Sequence, residues 1–548
     1  MLNILNKSKR ICTGLALSFK REPLLWTFIA LAVTVRVFFW FYTGRVWEDY
    51  LITATGVENA WNGFGLTHHA GEPRVHYFTS PVSVLIPLAL HPVMNGLLAM
   101  RLAGLLAAAG TIWLACNILK DMGIKPPAMA FVLAFLSFDF LHVFFGMSGM
   151  ETQVSVFFVL LAMRCHQKLR EGGAGKKEEI RLGIALGLCM LGRPDFIIVC
   201  ACIGLFVLCT RPKSLAGIAG FALLVYLPWF VFTMVYYGSP VPNTIIAKGG
   251  SSAILTDPAG IVSSFFEKWH AWAPIYEWWW VSEGGGGRSP LLTALAATGF
   301  IFGACMFLTG AAVTFARDRA CPLFAIVFML FVLYNCMFVH TTYYMWYLPP
   351  FTALAAMTAA IGINAVFERK KAAGWLIVSV LVLLYLLPLP FLFSIEKQAQ
   401  EFVENGVRKK VGERLSDLMG DTDTAVLEPL GYIGYYGRNK TIYDMPGLGS
   451  KIAVASLKKR PAANGTIAYG LAWLCQDLRP SFAVLRPAEH RAIREILPDF
   501  DKEYQLLETI GTQNYMHQSG PLVVDRGLDA CFIIFRRDIK QAPSPAFP

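Results

Sequence analysis

Charge is scarce in this chain. Only 16% of its 548 residues are Asp, Glu, Lys or Arg, 55% are hydrophobic, and the mean hydropathy is +0.50. Such a balance excludes an ordinary soluble protein. The basic start (Lys7, Lys9, Arg10, Lys20, Arg21) is not followed by an Ala-x-Ala-like cleavage site. The first apolar segment therefore reads as a retained helix, not a removed signal peptide. There is no Cys-x-x-Cys pair, so the common zinc and thiol-redox motifs are excluded. The glycines at 284–287 precede no Gly-Lys-Ser; they read as a hinge and not as a phosphate loop.

The net charge of +11 invites a nucleic-acid reading, but its distribution argues otherwise. Lys and Arg fall in short clusters between apolar runs, and the polar part has no basic stripe with interleaved aromatics. They read as orientation signals of a membrane protein with no nucleic-acid partner.

What the chain has in abundance is apolar runs of about 20 residues, enough to cross a roughly 30 Å hydrocarbon core. They recur from residue 24 to residue 394, and beyond that charges disperse and no run is long enough to span. The expected architecture is an all-α polytopic membrane domain over 1–395 and a soluble C-terminal α/β domain over 396–548. Spans are expected near 24–43, 98–119, 127–146, 150–167, 182–193, 195–210, 214–235, 290–315, 321–339, 345–366 and 373–394, about eleven in all. The proline-interrupted run at 81–97 is read as interfacial or re-entrant. In the C-terminal part, strands are expected at Thr424–Leu427, Thr441–Asp444, Phe482–Leu485 and 530–535. Seven cysteines (Cys116, Cys189, Cys200, Cys202, Cys209, Cys305, Cys336) fall within spans as small apolar residues. Cys475 and Cys531 leave a disulfide open.

Basic residues recur at Lys120 and Lys125, at Arg164 to Arg181, at Arg211 and Lys213, at Arg317 and Arg319, and at Arg369 to Lys371. If all are cytoplasmic, the segments alternate without conflict. The loops 44–97 and 236–289, the turn 148–152, Arg193-Pro194-Asp195, the stretch 340–347 and the C-terminal domain then share the opposite face.

That face carries the candidate chemistry. Glu48-Asp49 follows the first span, and paired carboxylates can supply an ionised base with a neighbour that tunes or orients it. The bland reading is an interfacial pair balanced by Arg45 or Arg74. His68, His69 and His76 could contact a substrate or hold a metal, although no Cys or carboxylate stands beside them at ligand spacing. Arg193 interrupts an apolar stretch, and its planar fork suits phosphate oxygens; a simple Arg193–Asp195 pair capping a broken helix is the alternative. Tyr236, Tyr237, Asn243 and Lys248 lie in a turn-rich loop, as substrate contacts or as an aromatic belt with a snorkelling lysine. Trp269, Trp272 and Trp278 to Trp280 fit that belt or a sugar platform. His340 and Tyr343 end one span and begin the next.

Taken in order, EDYLI, N-G-F-G-L, Y-F-T-S-P, SGMET, GRPD, YYGSPVPNTIIAK and HTTYYMWYLPP resemble the GT-C superfamily of membrane glycosyltransferases. They are most similar to the bacterial branch that includes the terminal arabinofuranosyltransferases of mycobacterial cell walls. The resemblance spans the whole membrane domain, and AVLEPLGYIGYYGRNKTIYDMPGLGS extends it into the soluble part. It implies a multi-pass protein of the bacterial inner membrane whose site and C-terminal domain face the periplasm or exterior. A sugar, D-arabinofuranose as first choice, would pass from a polyprenyl-phosphate donor to a polysaccharide, glycolipid or secreted-protein acceptor, with inversion. Asp49 or Glu48 would be the base, with Asp49 the first choice and Glu48 then orienting the acceptor or donor. Arg193, Lys248, Tyr237 and His340 would hold the donor phosphate; His68, His69, Glu151, Asp195, Asn243 and Tyr343 would contact substrate. No cofactor is implied, and a divalent cation stays open. Two departures stand out: Glu48 replaces the usual first Asp of the acidic pair, and Phe196 replaces the Gly that usually follows the Arg-Pro-acid motif. A lipid-linked sugar flippase and a non-catalytic assembly scaffold are the competing classes.

Overall fold

The computed structural model describes residues 21–171, 175–249, 257–268, 289–317, 322–338, 345–437, 439–459, 466–512 and 529–538. Among these, six helices are long and apolar enough to cross a membrane, or seven if one bent pair counts as a single span. The first, Pro23–Thr43, opens on a proline, whose missing N–H costs nothing at that position. It closes on Gly44 at φ +61°, with the glycine N–H bonded to the Trp40 carbonyl. Pro81–Leu90 has only ten residues. At 1.5 Å per residue it is too short to span, as an interfacial or re-entrant segment should be.

The stretch expected as one span at 127–146 is broken. Pro126–Phe138 and Phe140–Met147 meet at 42°, and Asp139 leaves helical geometry and caps the second piece through the His142 N–H at 3.0 Å. The break frees carbonyls inside apolar surroundings, and Arg36 takes them up. Its guanidinium donates to the Ser137 and Leu136 carbonyls at 3.2 and 3.0 Å and to Gln153 at 3.0 Å. A fully buried arginine thus satisfies the backbone that a kink exposes.

No linker separates the apolar part from the C-terminal domain. Lys371–Leu418 is long and apolar enough at its start to span, and it continues through a π-helical stretch at Ala399–Arg408 into Lys409–Leu418. Beyond it lies a five-stranded sheet of order β2-β1-β3-β5-β4. Its strands are β1 (Thr424–Leu427), β2 (Thr441–Asp444), β3 (Phe482–Leu485), β4 (Tyr504–Gly511) and β5 (Cys531–Arg537). β1 pairs in parallel with β2 and β3, while β5 is antiparallel to β3 and β4. The sequence reading missed β4, an edge strand with mostly exposed side chains. Cys475 and Cys531 are free thiols.

The sheet does not stand apart. Ile52, Val57, Leu66, Val75 and Tyr77 of the first extramembrane segment share one apolar core with Val407, Leu427, Ile433 and Phe482. That shared core fixes the acidic pair against the C-terminal domain.

Candidate active site

The helix Glu48–Trp61 begins with the acidic pair in its first turn, where the helix dipole favours carboxylates. Its start is tied to the turn at 148–151 by the Trp47 N–H, which donates to the Ser148 carbonyl at 2.9 Å. Gly149, at φ +96°, is needed there: a Cβ would fall 2.5 Å from the Tyr50 ring. Arg101 braces the same turn by donating to the Met147 and Arg45 carbonyls at 2.9 and 2.8 Å.

Two residues further, Glu151 accepts from Arg193 at 2.9 Å, and Asp195 accepts from the same guanidinium at 3.0 Å. Arg193 is 2% exposed and Glu151 3%, so each depends on the other for compensation. The Tyr347 ring covers the guanidinium, its centroid 3.8 Å from the central carbon. The two carboxylates engage Nε and Nη1; neither engages Nη2. Ser80 donates to the Gly192 carbonyl at 2.7 Å, which joins the 79–83 segment to this helix break.

These segments enclose a cavity of about 480 Å³, within the roughly 300–1,000 Å³ of small-molecule sites. Asp49, Glu151, Arg193 and Asp195 line it, with Tyr50, Ser80, Thr244, Trp346 and Tyr347 among their neighbours. Four of the expected site residues, 146 positions apart in the chain at the extremes, thus come together.

Others go elsewhere. Glu48 turns away from the cavity to Arg408, at 2.7 Å, and accepts the Gly431 N–H at 3.1 Å. Neither Arg45 nor Arg74 balances it: Arg45 pairs with Glu396 and Glu404, both at 2.8 Å, and Arg74 lies over the Tyr236 ring. Burial pushes the Glu48 carboxyl up to about 7; Arg408 opposes this, while Glu404, Glu428 and Asp529 add to it. Asp529 pairs with both Arg408 and Arg486, which hold its carboxyl below the usual range against the effect of burial.

Tyr237 is also not at the cavity. Its hydroxyl donates to the Leu66 carbonyl at 2.7 Å, and its ring stacks on His76. Asn243 donates to the Gly447 and Leu448 carbonyls at 2.7 and 3.2 Å. His68 and His69 are each 1% exposed. Burial lowers the His68 imidazole to about 3, and His69 lies 3.3 Å from Glu72. These four hold the 62–80 segment and the C-terminal domain together, with no place in the cavity wall. Lys248 belongs to the short helix Asn243–Gly249, four positions after Thr244. His340, Tyr343 and the tryptophans from 269 to 280 lie outside the described residues. Among the described residues, no three His, Cys, Asp or Glu side chains group as metal ligands.

The sequence reading missed Arg101, Tyr50 and Leu448. Arg101 had a signal, a lone charge inside an apolar run; Tyr50 and Leu448 had none.

No curated protein matches the chain. The family described as a domain of unknown function (DUF8728) matches residues 395–526, starting where the composition changes. Among solved structures, ArnT from Cupriavidus metallidurans bound to undecaprenyl phosphate is similar over 95% of this chain and 99% of its own, with TM-score 0.59 and 11% identity. The archaeal oligosaccharyltransferase AglB from Archaeoglobus fulgidus, in complex with an inhibitory peptide and a dolichol-phosphate, is similar over 96% of this chain and 75% of its own, with TM-score 0.54 and 13% identity. The chain shares the fold of these proteins.

Proposed function

We propose that this chain is a membrane glycosyltransferase that takes a sugar from a polyprenyl-phosphate carrier and passes it, with inversion, to an acceptor hydroxyl. The observation that carries this reading is the presence of Asp49 and Arg193 in the wall of one cavity. A carboxylate and a phosphate-binding guanidinium are what the displacement needs. Asp49 removes the proton from the acceptor hydroxyl, whose oxygen forms a bond to the anomeric carbon. The bond from that carbon to the phosphate oxygen breaks, and polyprenyl phosphate leaves with the electron pair. Arg193, held by Glu151 and Asp195, offers Nη2 to the oxygens on which charge develops. Preorganisation by two carboxylates fixes the fork before substrate arrives, so little ordering remains for the reaction itself.

Among the described residues, three carboxylates and one guanidinium line the cavity, and a phosphodiester calls for further positive charge. Lys248, one helical turn beyond the cavity residue Thr244, is the proposed second cation, with His340 as a third group from the sequence. ArnT carries undecaprenyl phosphate in its structure and AglB a dolichol-phosphate, which supports a lipid-linked donor here. The motif order supports D-arabinofuranose and a cell-envelope acceptor. The basic clusters support about eleven spans, with the site and the C-terminal domain on the periplasmic or exterior side of a bacterial inner membrane.

The test is transfer by the purified full-length protein in detergent from synthetic polyprenyl-phosphoryl sugars to alkyl glycosides. Release of polyprenyl phosphate with formation of a glycoside of inverted anomeric configuration supports the reading. Retained configuration, or no release with any donor, refutes it.

A further inference from the structure

Among the described residues that line the cavity, Leu448 alone comes from the C-terminal domain. It sits in a turn built for position. β2 ends at Asp444, which is fully buried, and the carboxylate there accepts the N–H groups of Gly447, Leu448 and Gly449 at 3.2, 2.5 and 2.9 Å. Gly447 adopts φ +93°, a conformation that suits glycine. Asn243 then clamps the turn from outside through the Gly447 and Leu448 carbonyls, while its own backbone N–H donates to the His76 carbonyl at 2.6 Å. The next two residues, Thr244 and Ile245, are themselves cavity wall. On the far side, the Ser450 hydroxyl donates to Glu72 at 2.6 Å. Three segments distant in sequence are thus locked around one half-buried leucine.

We propose that the 444–450 turn is the acceptor-side wall of the cavity and that Leu448 determines which acceptors reach Asp49. This rests on the transferase reading above. The donor is lipid-linked, so its chain departs past the walls supplied by apolar helices, which here contribute Tyr334, Asn335, Trp346 and Tyr347. In-line displacement requires the acceptor oxygen to approach from the side opposite the leaving phosphate, away from that lipid exit. Among the described residues, the C-terminal domain meets the cavity through one apolar side chain, Leu448, on an element separate from those helices. Leucine offers no hydrogen bond, so it selects by shape, pressing on the C–H face of an incoming sugar and limiting its bulk. Discrimination of this kind is worth about 10- to 200-fold per methylene. The work thereby assigned to the C-terminal domain is acceptor selection.

The test uses full-length wild type, Leu448→Ala and Leu448→Trp in detergent. Donors are decaprenyl-phosphoryl arabinofuranose, mannose and glucose; acceptors are octyl glycosides carrying one, two or four α-linked arabinofuranose units. The ratio of kcat/KM for the longest to the shortest acceptor is expected to rise in the alanine variant and to fall in the tryptophan variant. Each change should be about tenfold or more, with the donor KM within about twofold of wild type. Should the tryptophan variant not fold, the alanine arm decides alone. Ratios unchanged within about twofold, or a shifted donor KM with an unchanged ratio, overturn the proposal while leaving the transferase reading standing. Wild type that transfers from no donor overturns both.

Discussion

Arg408 holds Glu48 at 2.7 Å, joining residues 360 positions apart across the seam between the membrane-embedded part and the C-terminal domain. The neighbour in sequence, Asp49, lines the cavity. One turn of helix therefore divides the acidic pair between two jobs, anchoring and the proposed chemistry. A longer Glu in place of the usual Asp is what reaches the arginine.

Arg408 is the hub of that anchor, pairing with Glu48, Glu404 and Asp529. Arg408→Ala leaves Glu48 without its cation beside Glu404 and Asp529, which keep Arg45 and Arg486. The expected loss is in the range of about 3–5 kcal/mol for a broken buried pair, read as a lower unfolding midpoint in detergent. Glu48→Gln should cost far less, because Arg408 keeps its other two partners. Equal losses for the two variants would refute the hub.

The seam should also respond to pH. The Glu48 carboxyl titrates at about 7 in the folded protein, pushed up chiefly by burial, against about 4.3 when unfolded. Between those values the folded state binds more protons, so its stability falls as pH rises from about 4.3 to about 7 and levels off above. Asp444, pushed up to about 6 by burial, adds a change of the same sign. Melting curves from about pH 5 to about pH 8 should show the fall in wild type and a shallower one in Glu48→Gln. A Gln variant with an unchanged slope would exclude Glu48 as the source.

Gly431, in the short helix Leu430–Tyr436, lies against the start of the helix Glu48–Trp61, where an added Cβ would come within 2.2 Å of Glu48 Cγ and 2.5 Å of its carbonyl oxygen. The backbone oxygen cannot swing aside, so Gly431→Ala must push the two helices apart. Activity and stability should fall together, the latter by about 1–3 kcal/mol as for overpacking. Normal values for both would mean the seam is more compliant than its geometry indicates.

Arg193 gives a sharper separation. Arg193→Ala strands Glu151 as a buried charge and is expected to cost about 3–5 kcal/mol. Adding Glu151→Gln should restore much of the stability and none of the transfer, because the nitrogen proposed to meet the phosphate is still gone. Recovery of transfer in the double variant would remove Arg193 from the proposed mechanism.

Much of this site was legible in the sequence because each part sits in a short motif at a helix end. Asp49, Glu151, Arg193 and Asp195 are polar residues in apolar surroundings, and such residues are costly unless used. What stayed hidden depends on distant partners. Nothing near Glu48 announces Arg408, and nothing near Leu448 announces that its turn reaches the cavity. His68, His69, Tyr237 and Asn243 have the side chains of ligand contacts, yet they hold the 62–80 segment and the C-terminal domain together. The break at Asp139 escaped because one acid in an apolar run does not interrupt hydropathy, and Arg36, which satisfies it, lies about a hundred positions upstream. β4 escaped for a simpler reason. It is an exposed edge strand whose side chains do not alternate cleanly, so the period that marks a half-buried strand is missing.

The most direct test is the single-turnover rate of sugar transfer from a polyprenyl-phosphoryl donor by wild type, Asp49→Asn and Glu48→Gln at equal donor occupancy. The account predicts a loss of about 10²- to 10⁴-fold for Asp49→Asn, the range of general-base catalysis. Glu48→Gln should stay within about tenfold of wild type. A larger loss for Glu48→Gln than for Asp49→Asn, or full transfer by Asp49→Asn, would contradict it.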